Sequence, residues 1–138
     1  MLSTDNIAYV AGLFDGEGSI TYKKYKEKKP KGNYNCWRIV MEISMTDEYV
    51  IRFIHELLGV GTVQKKPRKG HKMQWRWRCC FRDALFVCKI IWPYVQVKLR
   101  KVEQIIDHYD ANKPYRKLNN VVDFDTYRRT NEKNKSRQ

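Results

Sequence analysis

Apolar residues recur at helical spacing over residues 5 to 14 (DNIAYVAGLF), where Ile7, Val10, Ala11 and Phe14 form one stripe. The pattern predicts a helix that starts near Asp5 and ends at Asp15-Gly16, where two glycines bracket an acid, Gly16-Glu17-Gly18. Ala8 and Gly12 lie four apart on one face, and small residues at that spacing let a second helix approach closely. Residues 19 to 28 read as a strand, with a turn over 29–33. Residues 34 to 44 give the clearest alternation in the chain. Trp37, Ile39, Met41 and Ile43 share one face; Cys36, Arg38, Val40, Glu42 and Ser44 share the other. A β-hairpin with one buried face follows from this.

Thr46 or Asp47 is the expected cap of a second helix running to Leu58, with Val50, Ile51, Ile54, Leu57 and Leu58 as its apolar stripe and Gly59 as its stop. A second hairpin is expected near 60–66 and 72–80, turning at 67–70. In its last strand Trp75, Trp77 and Cys79 oppose Gln74, Arg76 and Arg78. Asp83 then opens an apolar helix that Pro93 ends. Another helix over about 96 to 110 turns Leu99, Val102, Ile105, Ile106 and Tyr109 inward, and Lys113-Pro114 breaks it. The pattern over 123 to 130 predicts a short last helix. Residues 128–138 read as a basic, mobile tail, so that 123–138, short helix and tail, is set against one domain over 1–122. The fold class is α+β, with four strands in one antiparallel sheet, helices on one face and the other face open.

Charge adds to this picture. The 138 residues carry 28 Lys and Arg against 15 Asp and Glu, a formal charge of +13, while 42% hydrophobic residues are enough for a core. Lys23, Lys24, Lys26, Lys28, Lys29 and Lys31 flank the first hairpin against one acid, Glu27. Lys65, Lys66, Arg68, Lys69, Lys72, Arg76 and Arg78 flank the second with none. Solvated turns are often charged, but rarely with one sign alone, and a domain this basic repels itself unless it meets a polyanion. A twisted sheet with a basic face suits the DNA major groove. If the tryptophans face the helices, Arg38, Val40, Glu42, Gln64, Lys66, Gln74, Arg76 and Arg78 face the partner. By parity Thr21, Lys23, Tyr25 and Glu27 are the first-strand readers. Basic side chains near the hairpin tips, Lys28 and Arg68 among them, are expected at phosphates.

No apolar run approaches the ~20 residues that span a bilayer. Met1 to Asn6 lacks a basic segment leading into an apolar one, so no signal peptide is expected, and no membrane partner. The four cysteines (Cys36, Cys79, Cys80, Cys88) show no C-x-x-C spacing and the histidines are scattered. This favours free thiols over a zinc site.

The segment Tyr9-Val10-Ala11-Gly12-Leu13-Phe14-Asp15-Gly16-Glu17-Gly18-Ser19-Ile20 resembles the motif of LAGLIDADG homing endonucleases, the match running over V-A-G-L-F-D-G-E-G. Leu58-Gly59-Val60-Gly61-Thr62-Val63 is similar to the family's entry to its second hairpin, so the resemblance extends over nearly the whole chain. It implies an αββαββα core and a saddle-like sheet. It also implies a metal-dependent, site-specific double-strand DNA endonuclease with no small-molecule substrate, placed inside the cell at DNA. Glu17 is the implied catalytic acid and metal ligand, and the carbonyl of Gly16 the backbone ligand beside it. Mg²⁺ is the implied ion, with Mn²⁺ as a substitute and Ca²⁺ binding without supporting cleavage. One motif per chain implies a homodimer and a near-palindromic target, with Ala8, Ala11, Gly12 and Asp15 at the two-fold contact. Asp15 is also expected to serve local structure rather than metal.

Pro93-Tyr94-Val95-Gln96-Val97-Lys98 resembles the segment that carries the family's active-site lysine, which points to Lys98, with Arg100 and Lys101 as nearby alternatives. One departure stands out. Met45 takes the place of a polar residue, commonly glutamine, that helps position water in the family, and Ser44 or Thr46 are the substitutes at hand. The competing readings are a non-cleaving DNA-binding protein or RNA-splicing maturase on the same fold, and a ribosome-associated basic protein, which leaves the motif unexplained.

Overall fold

A computed structural model describes residues 2–110. The elements run α1 (Thr4–Glu17), β1 (Gly18–Lys29), β2 (Gly32–Met45), α2 (Glu48–Leu58), β3 (Thr62–Lys66), β4 (Gln74–Cys80), α3 (Phe81–Ile91) and α4 (Leu99–Tyr109). The expected break at Lys113-Pro114, the helix over 123–130, the basic tail and the domain limit at 122 lie outside the described residues.

Helix α1 begins where the Ser3 hydroxyl oxygen accepts from the Asn6 N–H at 3.2 Å. It outlasts its expected end. Glycine lowers helix propensity without forbidding a last turn, so α1 continues through Gly16 to Glu17 and closes with the Gly18 N–H donating to the Phe14 carbonyl. Gly18 has no room for a side chain, because a Cβ there would lie 2.5 Å from Phe14 Cδ1 and 2.8 Å from Phe14 Cα. That close crossing lets the chain pass directly from helix into strand.

The four strands form one antiparallel sheet in the order β1-β2-β4-β3. The first hairpin turns over Pro30 and Lys31 alone, with Lys29 opposite Gly32, so its strands are longer than the alternation predicted. Gly32 takes φ +137°, open to glycine and rarely to other residues. Asp47, rather than Thr46, caps α2, its Oδ1 accepting from the Val50 N–H at 3.1 Å; Gly59 ends the helix at φ +73°. Helix α3 starts two residues before Asp83, since β4 runs into it without a loop, Phe81 turning the chain at φ +53°.

The expected inward parity holds throughout. Ile39, Met41, Ile43 and Trp77 are fully buried under the helices with Phe14, Ile51, Ile54, Val87, Ile91 and Ile105. Phe14 meets Trp77 edge-on at 5.7 Å between centroids, tying α1 to β4, and the Trp77 indole N–H donates to the Val60 carbonyl at 3.0 Å. The first hairpin extends past this core. Where it leaves, Tyr22 stacks on Trp37 at 4.9 Å and bonds His108 Nδ1 at 3.2 Å, so the end of α4 braces the arm. Cys79 and Cys88 are buried free thiols. Burial pushes the Cys79 thiol up to about 12 and raises Cys88 as well. Among the described residues no helix is long and apolar enough to cross a membrane, and no three His, Cys, Asp or Glu group as a metal cage.

Candidate functional site

Two features meet at the end of α1. The first is the acid. Glu17 and Gly16 are both exposed on the last turn, and the last intrahelical acceptor is Phe14, so the Gly16 carbonyl lies beyond it. The C-terminal end of a helix carries partial negative charge, which favours a cation. Asp15 points elsewhere. Its Oδ2 accepts from the Gln96 N–H at 2.8 Å and its Oδ1 from the Lys98 N–H at 3.0 Å. These bonds hold residues 96–98 outside the helix, which is why α4 starts at Leu99 and not near 96. They also fasten the backbone of Lys98, half-buried, to the turn that ends on Glu17. Arg100 and Lys101 are exposed in the first turn of α4.

The second feature is the open sheet face. The registers place Ser19, Glu42, Arg78 and Thr62 in one cross-strand row, and Ser44, Arg76 and Gln64 in the next. Thr21, Val40 and Cys80 form a row on the other side, followed by Lys23 with Arg38 and Tyr25 with Cys36. Lys66 lies opposite Gln74 at the far edge, and Glu27 continues the parity of Tyr25. Alternation alone therefore brings together the predicted readers Thr21, Lys23, Tyr25, Glu27, Arg38, Val40, Glu42, Gln64, Lys66, Gln74, Arg76 and Arg78.

Two of the predicted contacts differ from the rest. Val40 is only 8% exposed, so it supplies a floor between longer side chains rather than a free contact. Lys28 has the parity of the helix-side face, opposite to Glu27, although beyond the core it is exposed. Arg68 is exposed in the loop between β3 and β4. Ser19 and Thr62 were missed by sequence reasoning. Extending the alternation of Thr21 and Gln64 by one step would have found them.

The face is partly preorganised. Arg76 donates to Gln64 Oε1 at 3.0 Å, while the Nε atoms of Arg76 and Arg78 are buried without a partner. Near the tip the Cys36 thiol donates to Glu27 Oε2 at 3.3 Å, and this bond is the main cause of its raised pKa. Met45, opposite Trp75, has the helix-side parity and packs against the core; Ser44 is on the open face and Thr46 is exposed.

The outward side of α1 carries Ala8, Gly12 and Gly16, each four residues apart. A Cβ built on either glycine would meet nothing within 4 Å beyond the adjoining residues and backbone of its own helix. Ala11, expected at the two-fold contact, is not on that side. It is fully buried in the core beside Val10 and Phe14, so it cannot reach another chain. Asp15, placed with it at the two-fold contact, has both oxygens bonded within its own chain.

The fold, a four-stranded antiparallel sheet with helices on one face, is similar to that of solved homing endonucleases. The homing endonuclease I-CvuI, in complex with the I-CreI target in the presence of Mg, superposes with a TM-score of 0.61 at 19% identity, over 74% of this chain and 64% of that one. The archaeal intron-encoded I-Vdi141I complexed with DNA gives 0.61 at 18%, over 75% and 65%. The group I intron-encoded I-CeuI complexed with DNA gives 0.61 at 17%, over 78% and 55%. The likeness is one of fold, and the chain spans less than two thirds of the length of each. Residues 10–105 match the family model described as LAGLIDADG endonuclease, and the chain belongs to that family.

Proposed function

We propose that this protein is a site-specific, metal-dependent DNA endonuclease that acts as a homodimer and makes a double-strand break at a long, near-palindromic target. The observation that carries the reading is the position of Glu17. It is an exposed carboxylate at the end of a helix whose outward side is lined by small residues, next to one polar, basic sheet face. Two such helices in contact bring two copies of Glu17 near the axis, where two strands of a duplex can be cut.

The donors suit a hard divalent ion. Glu17 and the Gly16 carbonyl offer oxygen, and Mg²⁺ takes one or two carboxylates with waters and substrate phosphates in place of an all-protein cage. Mn²⁺ replaces it in this reading, and Ca²⁺ binds without cleavage. When bound, the ion supplies an activated water and counter-charge for the leaving oxygen. Lys98 stabilises developing negative charge or orients the water; it is favoured over Arg100 and Lys101 because its backbone is bonded to the turn that carries Glu17. Ser44 or Thr46 takes the water-positioning role in place of Met45. On the sheet, Arg38, Arg76 and Arg78 read base edges, Glu42 accepts from a cytosine amine, and Lys23, Lys28, Lys66 and Arg68 hold phosphates.

A second reading, a non-cleaving DNA-binding protein or RNA-splicing maturase, is favoured by one observation: the side chain at position 45 is apolar and packed inward. Selection of cleaved sequences from a randomised duplex library in Mg²⁺, with Ca²⁺ as control, separates the two. The endonuclease reading expects one near-palindromic family of cut sites in Mg²⁺ and none in Ca²⁺; enrichment by binding without cutting in either ion supports the second.

A further inference from the structure

We infer that Asp15 is a positioning residue for Lys98, and that this is the reason an acid stands two residues before Glu17. The inference rests on the reading of Lys98 given above. Both Asp15 oxygens are used, at 2.8 Å to the Gln96 N–H and 3.0 Å to the Lys98 N–H, across more than eighty residues of sequence. Lys98 is the N-cap residue of α4, yet its side chain makes no cap bond. A cap is ordinarily supplied by the cap residue's own Ser, Thr, Asn or Asp side chain, which satisfies the first N–H groups locally. Here position 98 holds a lysine instead, and the distant Asp15 carboxylate ties down the N–H of that residue and of Gln96, in the segment leading into α4. A local cap would steady α4 equally well but would fix nothing relative to α1. Two bonds from one carboxylate to alternate N–H groups fix both the distance and the rotation of the segment against the α1 turn.

The Lys98 backbone sits at φ −93° and ψ 8°, the bridge between helical and extended conformations, where active-site residues are often found. Lysine is a point charge on a flexible four-carbon stem, so the origin of that stem must be fixed if the ammonium is to be placed well. Asp15 does this without touching the reacting atoms. Its negative charge also faces the N-terminal end of α4, where the helix dipole favours it.

The test is a double-mutant cycle in single-turnover cleavage, with the full chain, Mg²⁺ and a target duplex from the selection. Asp15→Asn keeps the shape but turns an amide N–H toward one of the two backbone donors. It is expected to slow cleavage by about 100-fold, the scale of a 1 Å misplacement, while leaving duplex affinity in Ca²⁺ unchanged. Lys98→Ala is expected to be slow as well, and adding Asp15→Asn to it should change the rate little. Equal losses from Asp15→Asn in the wild-type and Lys98→Ala backgrounds, or a normal rate for Asp15→Asn when Lys98→Ala is slow, would overturn the positioning role alone. Normal cleavage by Lys98→Ala would instead remove Lys98 from catalysis and this inference with it. Should Asp15→Asn fail to fold, Asp15→Glu serves in the same cycle: it keeps the charge, displaces the carboxylate by one methylene, and is expected to lose rate without losing duplex affinity.

Discussion

Gly12 lies inside a fourteen-residue helix, where glycine is a poor choice within a single chain. A methyl group there would touch nothing within 4 Å beyond the adjoining residues and backbone of its own helix. Helix propensity alone then makes Gly12→Ala stabilising by about 1 kcal/mol. For a domain of this size that would raise Tm by roughly 3–6 °C, whatever the protein concentration. The proposed homodimer predicts the opposite sign. Two α1 helices that approach through Ala8 and Gly12 have no space for added methyl groups, and the two-fold places one from each copy at the contact. Overpacking of at least ~2 kcal/mol for the pair raises the dimer dissociation constant roughly thirtyfold. Sedimentation equilibrium over a range of concentrations measures the constant, and thermal melts at two concentrations report the monomer's own stability. Gly12→Leu should abolish the dimer outright. A higher Tm at every concentration together with an unchanged dissociation constant for Gly12→Ala would place α1 away from any two-fold contact.

Arg76→Ala and Arg38→Ala should each weaken discrimination at particular base pairs by about 1–3 kcal/mol, read from a panel of single-substitution targets; a uniform loss over the panel would reassign them to phosphates. Lys66→Ala or Arg68→Ala should weaken all sequences alike and reduce the slope of log K against log salt by about 0.9 each, measured by titration at several salt concentrations. At pH 8 a thiol reagent should modify Cys36 while leaving Cys79 and Cys88 unreacted until the chain unfolds, counted by mass spectrometry. Because burial raises the Cys79 thiol to about 12, the folded chain keeps a proton that the unfolded chain releases near 9. That contribution to stability is complete below about pH 9 and is lost as pH rises toward 12, a trend that Cys79→Ala should weaken in pH-dependent melts.

Most of the sheet was legible in the sequence because strand alternation has a period of two, and a buried face fixes parity for every residue on the strand. Trp37, Ile39, Met41 and Ile43 on one side of β2 settled the direction of Arg38, Val40 and Glu42 on the other. The end of α1 was less legible. Glycines at 16 and 18 read as a helix stop, whereas Gly16 belongs to the last turn and Gly18 is needed for the crossing over Phe14. The bonds from Asp15 to residues 96 and 98 cannot be read from spacing, since no local pattern links positions that far apart, and apolar periodicity alone starts α4 near 96 rather than at Leu99. Ala11 belongs to the core stripe of α1 and not to its outward side; a helix one residue further round presents Ala8, Gly12 and Gly16 instead.

The most direct test of the account is Glu17→Gln, which keeps the side chain's size and removes its charge. With a selected target in Mg²⁺, this variant is predicted to leave both strands uncut while binding the duplex in Ca²⁺ about as tightly as the wild type and remaining dimeric. Cleavage at the wild-type rate by Glu17→Gln would contradict the assignment of this carboxylate to the metal, and with it the central claim.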